Sequence, residues 1–306
     1  MEIKYLKNND INFVRWDNCI NTAFNGSIFA FSWYLNILCD DWHALVLGDY
    51  KYVMPIIHKP VFRKEFVYSP ILGNRLGVFT NELLTEEIVH RFFESIPPEF
   101  SYLDFNLNKF NSFTNCSYEI KLKKNYEIDL ITTYDFLKQK YSGSFQKKIQ
   151  SAKANKITIV NGLLPNDFVN FITHKSSKSN PALNKKEIAQ LRMIISFALR
   201  YNLGEIYGAY SANNNLCAAA FFIKSKRKIH LLSNAQNKNG QIFNANYLLI
   251  DRFIESHTEK NLTLNIDNIV SENRIDFLTG IGAIEYKVKN IKKNNLPWYY
   301  KLLITT

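Results

Sequence analysis

The chain has 306 residues, 46% of them hydrophobic and 21% charged, a globular profile whose length predicts two domains. A formal net charge of +11 points to an acidic partner such as a nucleotide, tRNA, coenzyme phosphate or membrane surface, with a Lys-, Asn- and Ile-rich base composition as the competing origin. Four cysteines without paired spacing, six histidines without H-x-x-x-H or a Cys/His cluster, and no apolar run longer than Leu216–Ile223 predict no disulfide framework, no metal site and no stable membrane insertion; a cytoplasmic protein is expected.

Val14–Phe24 and Ser32–Asp40 read as short helices, the second opened by Ser32 as N-cap. His43–Leu47 and Lys51–His58 read as a hairpin through Gly48-Asp49, and Glu65–Ser69 as a further strand. Asn81–Ser95 is a predicted helix stopped by Pro97-Pro98. Three strands follow, Ser101–Leu107, Cys116–Lys123 and Tyr126–Ile131, with a domain boundary at Thr132–Asp135. Phe136–Asn155 is helical and basic, interrupted at Ser142-Gly143-Ser144. Ile157–Val160 is a short strand; Asp167–Lys175 and Lys185–Tyr201 are helices. Glu205–Tyr210 and Leu216–Lys224 form a hairpin across Asn213-Asn214-Asn215.

The stretch Lys228–Ala283 reads as strand, loop, helix, strand and short helix, followed by strands Ile284–Ile291 and Trp298–Ile304. Its loop, Ala235–Gln241, lies where an apolar strand hands over to a helix N-terminus. Backbone N–H groups and the helix dipole favour an anion such as a pyrophosphate there. The halves of the chain echo each other. Arg91-Phe92-Phe93-Glu94-Ser95 and Arg252-Phe253-Ile254-Glu255-Ser256 each end a helix, and each is followed at the same spacing by a strand, Leu103–Asn106 or Leu264–Asp267. The matching order of elements predicts two tandem copies of one fold.

The second half resembles the GNAT (acyl-CoA N-acyltransferase) fold, and the tandem arrangement resembles the FemAB-like branch of that superfamily, including bacterial proteins of this type. SFQKKIQSAKANKI (144–157) is similar to that branch's basic helix, and FLTGIGA (277–283) to its F-Y-x-x-F-G-A. The resemblance implies an α+β fold of tandem GNAT-like domains, mixed and mostly antiparallel sheets flanked by helices, divided as 1–131 and 132–306. It also implies transfer of an acyl or aminoacyl group to an amine. The donor would be acyl-CoA or aminoacyl-tRNA, both polyanions, and no covalently held cofactor is expected.

Departures from the pattern leave three readings open: an N-acyltransferase, an aminoacyl-tRNA-dependent peptidyltransferase acting on a cell-wall precursor, and a non-catalytic binding or scaffold protein. The phosphate loop reads Gln236-Asn237-Lys238-Asn239-Gly240-Gln241, with its glycine one place late and no second one. Lys238, Gly240, Gln241 and Asn244 are its donor-binding candidates. Leucine 278 stands where the family has a proton-donating tyrosine, so Tyr286 is the nearby substitute. Asp267 and Glu272 are candidates for taking the amine proton. Candidate substrate contacts are Ser233 and Asn234 at a strand end, Tyr68 and Tyr210 at two others, and Lys147 and Lys148 on the basic helix, which can track RNA phosphate.

Overall fold

The computed structural model describes all residues except 1, 62, 74, 115–116, 175–182, 270, 272 and 298–306. Chain contacts form two compact units. One takes residues up to Lys124 and those from Lys287 onward, and the other is Asn125–Tyr286. The expected division between 131 and 132 falls inside the second unit.

The first unit begins with β1 (Ile3–Leu6), α1 (Phe13–Thr22), α2 (Ser32–Leu38), β2 (His43–Leu47), β3 (Tyr52–Ile56), β4 (His58–Val61), β5 (Lys64–Tyr68), β6 (Phe79–Thr80), α3 (Glu86–Glu94) and β7 (Phe100–Asn106). Ser32 is not the cap of α2. Phe31 holds that position, and Ser32 donates its N–H and hydroxyl to the Asp17 carboxylate at 2.7 and 2.6 Å. Helix α3 starts at Glu86 rather than Asn81 because the Thr85 hydroxyl accepts the Ile88 N–H. Glu86 and Glu87 then suit the positive end of its dipole, and Val89, Phe92 and Phe93 form its buried face.

The predicted pair of strands after β7 is one continuous strand among the described residues, β8 (Glu119–Asp129), which crosses the unit boundary; Cys116 lies outside the described residues. The second unit continues with α4 (Tyr134–Gln139), α5 (Gly143–Ala154), β9 (Thr158–Asn161), α6 (Pro165–Thr173), α7 (Lys185–Arg200), β10 (Gly204–Tyr210), β11 (Leu216–Ser225), β12 (Lys228–Gln236), α8 (Lys238–Ile242), α9 (Ala245–His257), β13 (Thr263–Asn265) and α10 (Arg274–Gly280). Strand β14 (Ile284–Asn294) leads back into the first unit, and the predicted strand Trp298–Ile304 lies outside the described residues.

The repeat is visible in the pairings. In the first unit β4 and β5 form an antiparallel hairpin, α3 crosses over, and β7 lies parallel to β5 with Tyr68 opposite Asp104. In the second unit β11 and β12 form the hairpin, α9 crosses over, and β13 lies parallel to β12 with His230 opposite Asn265. The closing strands are exchanged. β7 takes β14 as its antiparallel neighbour and β13 takes β8. That exchange is why the chain's end belongs with its beginning.

In the second unit α5 and α9 cover one face of the sheet. Phe145, Ile149, Ala152, Leu249 and Phe253 bury against Ala218, Ala220 and Phe222. The alanines allow close approach, and the rings of Phe222 and Phe253 stack with centroids 3.5 Å apart. α6 and α7 pack on strands of the same sheet, with Phe168 and Phe221 6.2 Å apart.

Candidate active site

The second unit's sheet opens where β12 and β13 part. Their parallel ladder covers only Lys228–His230 against Thr263–Asn265, whereas β12 continues to Gln236. The cause is a bulge on the other side of β12. Phe221 pairs with Ser233 and Phe222 with Leu231, leaving Leu232 unmatched. A bulge bends its strand and increases the local twist, so β12 turns away from its parallel neighbour. Where the ladder stops, the Asn268 side chain takes over, donating from Nδ2 to the Leu232 carbonyl at 3.2 Å. Buried polar residues concentrate around this opening: His230, Asn234 and Gln236 on β12, Asn265 on β13 and Asn246 in the first turn of α9. Most buried polar groups in native cores are hydrogen-bonded.

The structure brings Asp267 and Tyr286 into one polar cluster at the end of β13. Asn265, the last β13 residue paired to β12, donates from Nδ2 to the Tyr286 hydroxyl at 2.9 Å, so the hydroxyl's own proton serves as a donor. Asp267 is placed as a structural acceptor. Its carboxylate takes the backbone N–H of Tyr126 and continues the β8–β13 ladder in side-chain form. Its carbonyl accepts from Nε and Nη2 of Arg274 at 3.1 and 2.7 Å. Arg274 lies over the Tyr126 ring at 5.8 Å, and Tyr126 donates to Glu285 at 3.0 Å. Burial lowers the Arg274 pKa while Tyr126 raises it, and a guanidinium so placed remains charged. Glu272 lies outside the described residues.

The expected phosphate loop is built differently. β12 runs through Gln236, and Lys238–Ile242 form the single turn α8. Asn237 caps that turn: its Oδ1 accepts the Gly240 N–H at 2.8 Å and its Nδ2 donates to Leu216 O at 3.0 Å. Gly240 is required by proximity, since a Cβ there would lie 2.2 Å from the Cys217 carbonyl oxygen. The Gln241 N–H returns to Asn237 O. Lys238 is exposed on α8. Asn244 enters α9 in the left-handed region, φ 55°, and its Nδ2 reaches Ser151 at 3.3 Å.

Of the basic-helix residues, Lys147 is exposed on α5, while Lys148 donates to the Tyr247 hydroxyl at 2.7 Å and sits 4.6 Å from that ring's centre. Ser233 is half-buried and Asn234 fully buried on the bulged part of β12. Tyr210 ends β10, two strands from β13's partner, and burial raises its pKa. Tyr68 belongs to the first unit, where the Lys59 ammonium lies 4.7 Å from its ring centre. Leu278 is fully buried core.

Sequence reasoning missed Arg274, Tyr126, Asn265 and the bridging role of Asn268. The run Asn265-Ile266-Asp267-Asn268 carries three side-chain amides or carboxylates at a strand end, which is a signal for such a cluster. Tyr126 leaves none.

No protein-family model and no curated protein matches the sequence. Solved structures do. The chain is similar to FemX at 11% identity, with all of both chains covered and a TM-score of 0.66. It is similar to the C-terminal domain of a protein described as a lysylphosphatidylglycerol synthetase from Agrobacterium fabrum, at 9% identity over 92% of each chain, TM-score 0.56. It is also similar to L-PGS from Bacillus licheniformis, at 9% identity over 88% of this chain and 89% of that one, TM-score 0.50. At these identities the likeness establishes the fold: a FemX-type, tandem GNAT-like α+β architecture, as the resemblance implies.

Proposed function

We propose that the protein is an N-acyltransferase of FemAB-like type, moving an acyl or aminoacyl group from an activated donor to an amine. The observation that carries this reading is the parting of β12 and β13 at the Leu232 bulge, inside the fold that FemX shares. An extended donor can lie against the freed length of β12 through main-chain hydrogen bonds. Attack by an amine on its carbonyl builds negative charge on oxygen, and the departing oxygen or sulfur needs a proton. Backbone amides of β12 are groups for the first task, and Tyr286, oriented by Asn265, for the second. Asp267 enters as the residue that fixes the rim through Tyr126 and Arg274, so placement of a neutral amine dominates over base catalysis.

For the donor, the occupied Gly240 amide favours aminoacyl-tRNA over acyl-CoA. The loop's N–H group is spent on Asn237 rather than offered to a pyrophosphate. Exposed Lys147 with its α5 neighbours supplies phosphate contacts for such a donor. Thermal-shift and calorimetric titrations of the full chain with acetyl-CoA, longer acyl-CoAs and aminoacyl-tRNA separate the readings. Stabilisation by aminoacyl-tRNA that is steeply salt-dependent and lost in Lys147→Glu/Lys148→Glu supports the tRNA donor. Stabilisation by acyl-CoA alone overturns the donor preference. Stabilisation by none of them sinks the transferase reading and leaves a non-catalytic scaffold.

A further inference from the structure

We propose that the first unit holds a divalent transition-metal site, zinc foremost, made by Asp41, His43 and His58. It is independent of the transferase reading. The three residues each present one ligand atom, and these atoms lie within 4.8 Å of one another. His43 opens β2, Asp41 is in the turn before it, and His58 opens β4, so the site joins strands that belong to two different sheets.

His58 carries the argument. Its side chain is 10% exposed, and its Nδ1 lies 2.8 Å from the Glu65 carboxylate. A carboxylate only accepts, so Nδ1 holds the proton and the neutral ring's lone pair falls on Nε2. That Nε2 is buried with no hydrogen-bond partner. A buried polar atom left so costs about 1–3 kcal/mol, and a carboxylate–histidine pair that leaves the ring's other nitrogen with its lone pair is the arrangement that presents imidazole to a metal.

His43 completes the picture. Its side chain is also 10% exposed, its Nε2 lies 3.5 Å from Asp41 Oδ1, and its Nδ1 lies 2.6 Å from the Tyr5 hydroxyl. A hydroxyl can donate or accept, so Tyr5 accommodates the tautomer with Nε2 free for a metal. The imidazole rings lie 4.3 Å apart between centroids with their planes inclined at 46°, walled by the Phe100 ring at 5.3 Å from His58 and 6.3 Å from His43.

The donor set selects the ion. Two imidazoles and a carboxylate suit zinc and its first-row neighbours, while magnesium and calcium take oxygen. Asp41 and Glu65 together bring two negative charges, matching a divalent cation. With bonds of about 2.0–2.1 Å at tetrahedral angles, ligand atoms sit about 3.3–3.4 Å apart, so binding draws a set now within 4.8 Å inward by up to about 1.4 Å. Asp41, exposed and in a turn, is the member free to move and the side from which the ion enters. Three protein ligands leave one coordination position open.

The test uses the full chain stripped with EDTA and titrated with zinc chloride by calorimetry, and with cobalt(II) by absorption. One equivalent of zinc is expected, with a raised Tm, visible cobalt bands and no Tm response to magnesium. Asp41→Asn, a change at an exposed position, should weaken zinc binding tenfold or more. His58→Gln should abolish it, and Glu65→Gln should weaken it about 10- to 100-fold by releasing His58. Absence of saturable zinc uptake, or uptake unchanged in Asp41→Asn, overturns the proposal. If His58→Gln fails to fold, the exposed Asp41→Asn variant and the cobalt spectrum decide it.

Discussion

Replacing Gly240 by alanine separates a structural turn from a phosphate cradle. An added Cβ would meet the Cys217 carbonyl oxygen at 2.2 Å and its carbon at 3.0 Å, where ordinary contacts begin near 3.4 Å, so α8 or β11 must give by about 1.2 Å. Overpacking of this kind costs about 1–3 kcal/mol. The shift also strains the bonds that hold the turn: Asn237 N to Cys217 O at 3.0 Å, Asn237 Nδ2 to Leu216 O at 3.0 Å and Gly240 N to Asn237 Oδ1 at 2.8 Å. At about 1 kcal/mol each, losing one or two brings the total to roughly 3 kcal/mol. Trp16, Trp33 and Trp42 all lie in the first unit, so tryptophan fluorescence is a poor reporter and urea unfolding should be followed by far-ultraviolet circular dichroism. The midpoint should fall with little change in m. Stability unchanged within about 0.5 kcal/mol, together with a tenfold loss of donor affinity, would refute the cap and restore the cradle.

Asp267→Asn keeps an oxygen for the Tyr126 N–H and should cost under about 1 kcal/mol, whereas Asp267→Ala strands that amide at a half-buried site and should cost about 1–2 kcal/mol. Stability that holds in the Asn variant while turnover disappears would make Asp267 a base after all. Lys148→Met removes the ammonium from the Tyr247 ring and hydroxyl and should lower stability by about 0.5–1 kcal/mol; Lys147→Met, at an exposed position, should leave it unchanged, and equal effects in both would contradict the pairing. Asp251 is fully buried, accepts from the Tyr134 hydroxyl at 2.8 Å, and has its pKa raised chiefly by burial. A carboxyl raised in the folded state stabilises below its unfolded pKa near 4, and that contribution is lost as pH rises through the folded value. Asp251→Asn should therefore raise Tm at pH 7 and give no gain near pH 3. An equal drop at both pH values would show that the carboxylate is needed for packing.

Most of the fold is legible along the chain because its signals are local. Thr85 before two glutamates, Ser142-Gly143 before a basic helix, and Asn184 with Glu187 each mark a helix start, and the last pair forms a capping box. The tandem echo is equally legible, since both copies keep hairpin, crossover helix and parallel strand in one order. The exchange of closing strands is not. Nothing local distinguishes a β14 that pairs with β7 from one that stays with β13, because the choice is made between residues such as Asn290 and Asn106 that lie far apart in sequence. A division near 132 is the natural reading of chain order, and it ignores the return of β14.

Site residues divide along the same line between local and distant causes. Asp267 follows the end of β13 by two residues, and its carboxylate is claimed by the backbone of Tyr126, 141 residues away. The loop carries one local signal of its own, since Asn237 is a favoured N-cap residue whose side chain claims the Gly240 amide for the chain itself rather than for a phosphate. His43 and His58 stand on separate strands, so no spacing rule brings them together. Only the turn between β2 and β3 and the antiparallel register that sets His43 opposite Ile56 carry His58 to its partner. A histidine's surroundings, more than its neighbours in sequence, decide whether it is core or ligand, and here those surroundings are an accepting carboxylate on one nitrogen and no hydrogen-bond partner on the other.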